Sequence, residues 1–475
     1  MNTHRPSKHK LVIKKTGSMK VDATVYCTPE MKIEDSALSQ LADAASLPSV
    51  HFALATPDIH QGYGAPIGAV IALYDYICPA AVGYDINCGM RLMTTDSKAD
   101  ELKVELIAKM ASRFVPLGEG KSGPLQLSSG QFKRVVENGI EGLFELSPLG
   151  GPVFENWDRN TFESDSRHCE DDGCIKTSAS RLSEKAVERG RTQLGTLGGG
   201  NHFIEFQRVE EVLDASTASA FGLEEGNLTV MVHTGSRGFG HQIGGEYMKK
   251  AAAESKDIAP NRELGVLKLS SQEADEYIDA MRCGANFAYA NRTAIANLVR
   301  KACLQIEPNL HLRTLYDVTH NMAKKELHNS STLWVHRKGA TRAFPASRMS
   351  TYPFDRTGQP VLIPGSMGTA SYVLVAGENV DESLCSVNHG AGRCMSRTAA
   401  RGKFRKGKRV KKPAISDERF RESMRGVKLI AANRKASKEE APDAYKDIHS
   451  VIRAVTGAGL AKTVARLRPL AVLKG

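Results

Sequence analysis

Three familiar signatures of nucleotide handling are missing from this sequence. The one candidate for a Gly-x-x-x-x-Gly-Lys-Ser/Thr loop, Gly120-Lys121-Ser122, has Val115 where the first glycine is required. No Gly-x-Gly-x-x-Gly opens a helix after a strand, and the Lys-x-Asp/Asn-Gly motif of classical nucleotidyl-transferring ligases is absent. A phosphate-loop NTPase, a dinucleotide-binding fold and a lysine nucleophile are thereby set aside. Long apolar runs are lacking too. The most apolar stretch, Gly64 to Gly83, is interrupted by Asp75 and Pro79, which makes a poor membrane span and reads as a buried strand pair with a turn. The basic stretch Met1 to Lys15 has no apolar core or small-residue cleavage site, so no secretion signal is expected and the cytoplasm is the expected location. The nine cysteines are scattered without a Cys-x-x-Cys pair, which argues for reduced thiols over a disulfide framework. Aromatics make up only 6%, too few for a base-stacking platform as the main activity.

What is present is a 475-residue chain with 41% hydrophobic and 25% charged residues, the balance of a soluble globular protein. No internal repeat or low-complexity linker divides it, so one continuous domain over 1–475 is expected. Strand-like runs fall at His51 to Thr56, Ile67 to Leu73, Leu228 to His233, Leu333 to His336 and Tyr372 to Ala376. Helical periodicity marks Glu101 to Phe114, Arg181 to Leu194, Asp417 to Ala432 and Gln272 to Ile306, the last with a break expected near Gly284. Without a regular βαβ rhythm, the mixture predicts an α+β fold. The turn-rich acidic segment 148–173 reads as an exposed loop. The net charge of +11 favours a polyanionic partner, and Arg401 to Lys412, two-thirds lysine and arginine, is either a solvated loop or a phosphate-tracking patch.

The chemistry gathers in glycine-dense segments that each carry a histidine or another metal-type ligand: PDIHQGYGAPIG, GYDINCGMR, GTLGGGNHFIEF, VHTGSRGFGH and NHGAGR. Glycine lets backbone N–H groups approach an anion closely. Asp85 and Cys88, three residues apart after an apolar run, can face one ion, and a thiolate can bridge two. His202, His233 and His320 stand at strand ends or in polar loops. A dispersed Asp, Cys and three-His set suits a catalytic metal site, with manganese, zinc, iron and cobalt all compatible. His168, Cys169 and Cys174 have no fourth ligand nearby and read less well as a zinc site. His389, in Asn-His-Gly-Ala-Gly-Arg, is the candidate nucleophile, because imidazole nitrogen attacks phosphorus and then leaves readily. Gly390 and Gly392 free the backbone to hold phosphate oxygens, and Arg393 can offset their charge.

At these residues the chain resembles RtcB-type RNA ligases, from about Ala55 to Lys474-Gly475. The motifs DINCG, GTLGGGNHFIE, VHTGSRG, YDVTHN, HRKGATRAF, IPGSMGTASYV, HGAGR, EEAPDAYKD and the terminal Leu-Lys-Gly occur in order. The resemblance implies an RtcB-like fold, β-rich at its core and surrounded by helices. It implies two manganese ions, one on Asp85, Cys88 and His202 and one on Cys88, His233 and His320. It also implies GTP as the source of a guanylate carried on His389. The guanylate would be bound by Asn201, His202, Phe203, Ile204, Glu205, His320, Asn321, Pro364, Gly365, Ser366, Met367, Ser371, the loop His389, Gly390, Ala391 and Gly392, Tyr445 near the base, and Lys474. Arg337, Lys338 and Arg342 of the HRKGATR segment, Arg393, and Arg401, Lys403, Arg405 and Lys406 of the basic run are expected on RNA. Asn388 stands where many relatives have cysteine or serine, and Gly199 where serine is common. The activity implied joins RNA 3′-phosphate or 2′,3′-cyclic phosphate ends to 5′-hydroxyl ends; a monomer is the default expectation, and an accessory activator protein, required by some relatives, is a candidate partner. The competing readings are a two-metal phosphoesterase or nuclease, which would not need His389, and an RNA-binding protein with a degenerate site.

Overall fold

The computed structural model describes residues 2–405, 408–433 and 436–475. Two large sheets form its frame, with helices packed around them, so the chain is α+β as expected. The first sheet has seven strands in the order Thr3–Ser7, Lys10–Ile13, Ala23–Tyr26, Val50–His60, Ile67–Leu73, Ser331–Lys338 and Asn321–His328. The second runs Arg313–Thr319, Gly89–Lys98, Asn227–Thr234, Phe203–Val212, Ala461–Lys474, Ser371–Ala376 and Val361–Ile363. Lys428–Ala431 pairs in parallel with the long C-terminal strand of that sheet. Each of the five expected strand runs lies within one of these strands. Among the described residues no helix is long and apolar enough to cross a membrane.

The second sheet explains how a dispersed ligand set can converge. Four neighbouring strands alternate in direction, and residue pairs Thr319 with Gly89, Met90 with His233, and Phe203 with His233 fix their register. Two strands therefore begin, and two end, at one edge of the sheet. Cys88, His202, His233 and His320 all sit at that edge, within one residue of a strand terminus. The last residue of the C-terminal strand, Lys474, pairs with Phe203 and arrives there too.

Four sequence expectations are corrected. Gln272–Ile306 is one uninterrupted helix of 35 residues. Gly284 marks a close approach: a Cβ there would lie 3.2 Å from Ile86, in the Asp85-to-Cys88 loop. Helix Asp417–Ser423 stops well short of Ala432, because Gly426 takes a left-handed φ of +80° and the following residues pair with the C-terminal strand instead. The acidic segment 148–173 is only partly an exposed loop. Asp158 caps a helix, Arg159–Arg167, and within the segment Asp165 and Glu170 are buried. Asp165 takes a bidentate pair of bonds from Arg300 at 2.6 and 2.7 Å, and Glu170 pairs with Lys324 and Arg342. Buried charge is tolerated only when so paired. The helix expected over Arg181 to Leu194 is confined to Glu184–Gly190, capped by the Ser183 side chain.

Candidate metal and nucleotide site

At the shared sheet edge the five expected ligands form two triads, Asp85–Cys88–His202 and Cys88–His233–His320, and the ligand atoms of each triad lie within 4.8 Å of one another. Cys88 belongs to both. Its sulfur is 3.4 Å from His202 Nε2 and 3.2 Å from His233 Nε2, while His202 Nε2 faces Asp85 Oδ2 at 2.8 Å. The local folding is fixed by backbone: Asn87 N–H donates to Asn321 carbonyl at 2.7 Å and His320 N–H to Cys88 carbonyl at 2.9 Å. Asn321, expected on the nucleotide, instead ties loops together, donating to Asp85 carbonyl and accepting from Gly339 N–H.

The electrostatics suit cations. Burial pushes His202, His233 and His320 below the usual imidazole range, which favours the neutral, ligating form. Burial opposes ionisation of Asp85, yet the hydrogen bond of His202 and the nearby charge of Arg237 hold its carboxyl well below the ordinary value. Burial, reinforced by Asp85, pushes the Cys88 thiol well up. Neutral nitrogens, a carboxylate and a shared sulfur crowded together in a buried space fit two divalent ions, whose charge would draw the thiol proton off.

A cavity of about 210 Å³ adjoins this cluster. Its walls hold Asn201, Phe203, Glu205, Pro364, Gly365, Ser366, Met367, Ser371, His389, Gly390, Ala391, Gly392, Tyr445 and Lys474, all expected at the nucleotide. His202 and His320 stand in the metal triads instead. Ile204 faces the opposite side of its strand and is buried in the core, as the period of two requires. Also on the wall are His60, Arg393, Arg397 and Glu440, of which only Arg393 was anticipated, and that toward RNA. Arg393 donates to Glu440, Tyr445 and Glu439 carbonyl, Arg397 donates to Glu440, and the Tyr445 hydroxyl donates to Glu440. Burial pushes Glu205 up to about 8 and Lys474 down to about 8.

His389 stands between cavity and cluster, its ring 4.9 Å from that of His320. Its Nδ1 donates to Asp58 Oδ2 at 2.6 Å, and its backbone N–H donates to the same oxygen at 3.2 Å. Thr56 Oγ1 donates to the other Asp58 oxygen at 2.6 Å. Asp58 is fully buried, and despite that burial the hydrogen bonds from His389 and Thr56 keep its carboxyl below the ordinary value. A carboxylate on Nδ1 leaves Nε2 with its lone pair free. The loop can lie this close only through Gly392, at φ +73°, where a Cβ would meet Asp58 carbonyl at 2.3 Å. Sequence reasoning missed Asp58. Its only signal was membership of a glycine- and histidine-bearing segment, shared with many residues that do nothing comparable. Arg237 was missed as well. It donates to His202 Nδ1 at 3.1 Å, in space that Gly198 leaves open.

The HRKGATR segment is corrected. Arg337 gives both arms of its guanidinium to buried Glu326, Lys338 donates to the carbonyls of Tyr63, Ala65 and Ala80, and Arg342 pairs with Glu170 and Asp171. His336 is buried on backbone partners. These cations are engaged within the protein, holding the first sheet and its neighbours together. Arg401 is exposed and pairs with Glu439. Lys403 and Arg405 lie on a short strand pair, Lys403–Arg405 with Lys408–Lys411, and Lys406 lies outside the described residues.

Fold and site define a class: an α+β enzyme in which two candidate metal triads sharing one cysteine face a carboxylate-oriented histidine beside a cavity lined by both cations and carboxylates, a layout for transfer at phosphorus. Comparison with known proteins makes this particular. The family model described as tRNA-splicing ligase RtcB matches residues 40–475. The chain is 40% identical over 480 residues to the tRNA-splicing ligase RtcB of Thermococcus kodakarensis, covering 96% of this chain and 95% of that one. It is 40% identical over 481 residues to the protein of the same name from Archaeoglobus fulgidus, with the same coverage. Against the RNA-splicing ligase RtcB homolog 1 of Entamoeba dispar the identity is 37% over 489 residues, covering 96% and 88%. The chain belongs to the RtcB family of RNA ligases.

Proposed function

We propose that this chain joins RNA 3′-phosphate or 2′,3′-cyclic phosphate ends to 5′-hydroxyl ends, using GTP and two manganese ions. The observation that carries the reading is the Asp58–His389 pair, set between a shared-cysteine metal cluster and a cavity lined for a nucleotide. In the first step His389 Nε2 bonds to the α-phosphorus of GTP, the α–β phosphoanhydride bond breaks, and pyrophosphate leaves. The Nδ1 proton stays on the ring, held by Asp58. In the second step an oxygen of the RNA 3′-phosphate attacks that phosphorus, the N–P bond breaks, and His389 returns to its starting form. In the third the 5′-hydroxyl oxygen of another RNA end attacks the 3′-phosphorus, loses its proton, and expels GMP as the 3′,5′ bond closes. A 2′,3′-cyclic phosphate is first opened by water to the 3′-phosphate. Asp85, Cys88, His202, His233 and His320 would hold the ions, which supply charge stabilisation at the phosphates.

Base selection follows from two walls of the cavity. Guanine presents an acceptor at O6 and donors at N1 and N2, which match a lysine ammonium and a carboxylate. Lys474 and Glu205 offer that pair, whereas adenine reverses the pattern. The chain acts as a monomer in this proposal, on broken or spliced RNA such as transfer-RNA halves. A two-metal hydrolase would use the same ligands but does not need an oriented histidine outside the metal set. The experiment is a joining assay with synthetic ends, with and without GTP and Mn²⁺. Joined product that needs both supports the proposal, and RNA cut without joining would replace it with the hydrolase.

A further inference from the structure

Beyond the metal cluster lie two cavities that none of these steps uses. One, of about 790 Å³, touches the cluster, with Asp85, His202 and Arg237 on its wall. The other, of about 750 Å³, shares the wall residues Arg189 and His241 with the first, so the two are neighbours. Three rings gather in the second. Tyr84, the residue before the ligand Asp85, stacks on His241 with centroids 4.7 Å and planes 19° apart, and Tyr63 lies 5.7 Å from Tyr84. Tyr63 and His241 are exposed and Tyr84 is half-buried.

Four exposed cations line the same cavity: Lys185, Arg189, Lys249 and Arg262. Among the described residues none of them has a carboxylate within 4.0 Å. Two carboxylates stand against the four, and both are engaged elsewhere. Glu246 accepts from Ser183 and Gln242, and Glu263 accepts from Gly64 N–H. Exposed ring faces beside cations without carboxylate partners, next to the cavity that touches the cluster, meet the two requirements of a single nucleic-acid strand: a stacking surface and a phosphate track. Protein–protein interfaces are depleted in lysine, and here Lys185 and Lys249 stand on the same wall as the rings.

We propose that the second cavity is a subsite for single-stranded RNA, holding nucleotides a few positions away from the reacting end. Bases lie on Tyr63, Tyr84 and His241, and phosphates are held by Lys185, Lys249 and Arg262. The proposal rests on the RNA-joining reading and adds a strand path leading away from the metals. It implies a preference for unpaired ends, since a duplex hides the base faces these rings would take.

The test uses the full-length, manganese-loaded protein and fluorescence anisotropy with labelled RNA of about 12 and about 3 nucleotides, the longer long enough to fill a strand-binding groove. Strands with a 5′-hydroxyl end and strands with a 3′-phosphate end form separate arms, and the arm that responds identifies which strand occupies the cavity. The charge variant Lys249→Glu/Arg262→Glu and the ring variant Tyr63→Ala/His241→Ala should each weaken the long strand about tenfold or more. The charge variant should also flatten the salt dependence. Binding of the short strand and labelling of the protein by GTP should stay as in wild type. A wild type that binds long and short strands equally, or variants that bind the long strand normally, would overturn the proposal. So would variants that keep RNA affinity and lose only the response to an activator protein. Should wild type fail to take label from GTP, the catalytic reading fails while the binding arms still decide the subsite. Against misfolded variants, 4-thiouridine cross-linking on wild type gives an independent answer. Cross-links in peptides containing Tyr63, Tyr84 or His241 are expected, and their absence from those peptides contradicts the subsite.

Discussion

Replacing Asp58 by asparagine tests the orientation of the nucleophile with almost no change of shape. The carboxylate accepts the Nδ1 proton of His389 at 2.6 Å, which fixes the tautomer with Nε2 unprotonated. An asparagine can turn its NH₂ toward Nδ1, and the ring proton then moves to Nε2, where it blocks attack on phosphorus. The same exchange in the acid–histidine pair of serine proteases lowers turnover by about 10⁴. A loss of about 10³- to 10⁴-fold in single-turnover guanylation is therefore expected, about 4 to 5.5 kcal/mol of barrier. Part of the lost bonding affects stability, because Asp58 also receives Thr56 Oγ1 and His389 N–H. A cost of about 1–3 kcal/mol is expected for charge-assisted bonds weakened at a buried site, read as a lower melting temperature of a still cooperative unfolding. The assay follows transfer of α-labelled GMP to protein, quenched by denaturant. Guanylation within about threefold of wild type, in a folded variant, would refute the tautomer argument.

Other consequences follow from the same geometry. Cys88→Ala removes the atom common to both triads, so metal analysis of the dialysed protein should show less than half the wild-type content, and guanylation should be lost; two ions retained would remove Cys88 as a bridge. Nucleotide affinity should be bell-shaped around pH 8. It rises as Glu205, pushed up to about 8 by burial, ionises to accept from the base, and falls as Lys474, brought down to about 8, loses its proton; Glu205→Gln should abolish the rising limb in a calorimetric titration, and an unaltered profile would count against the assignment. Arg292 is fully buried on the long helix and donates to Asn87 carbonyl at 2.8 Å and Thr234 carbonyl at 2.9 Å while pairing with Asp317, three residues before His320. It clamps three ligand-bearing segments, so Arg292→Lys should weaken manganese binding about tenfold or more by titration, and unchanged affinity would make it merely structural.

How far the sequence carries depends on whether a feature is local. Alternation and β-branched runs marked strands such as Ile67–Leu73 because each buries its own residues in the sheet it joins. The ligand set was legible because glycine-flanked Asp, Cys and His are unusual together, although the register that lines them up on one edge belongs to the sheet. Gly284 looked like a helix break because its partner, Ile86, is some two hundred residues distant. Arg337, Lys338 and Arg342 looked like a phosphate patch because their partners, Glu326, Glu170 and Asp171 among them, lie elsewhere in the chain and look solvated when read alone. Asp58 escaped for the same reason: an aspartate in a strand gains its meaning only when His389 folds onto it.

The most direct test of the account is to incubate the protein with α-labelled GTP and Mn²⁺, denature it, and map the label by peptide. The account predicts one acid-labile, alkali-stable phosphoramidate on the peptide carrying His389, lost in His389→Ala. Label on a lysine, or none on a protein that still cuts RNA, would contradict it.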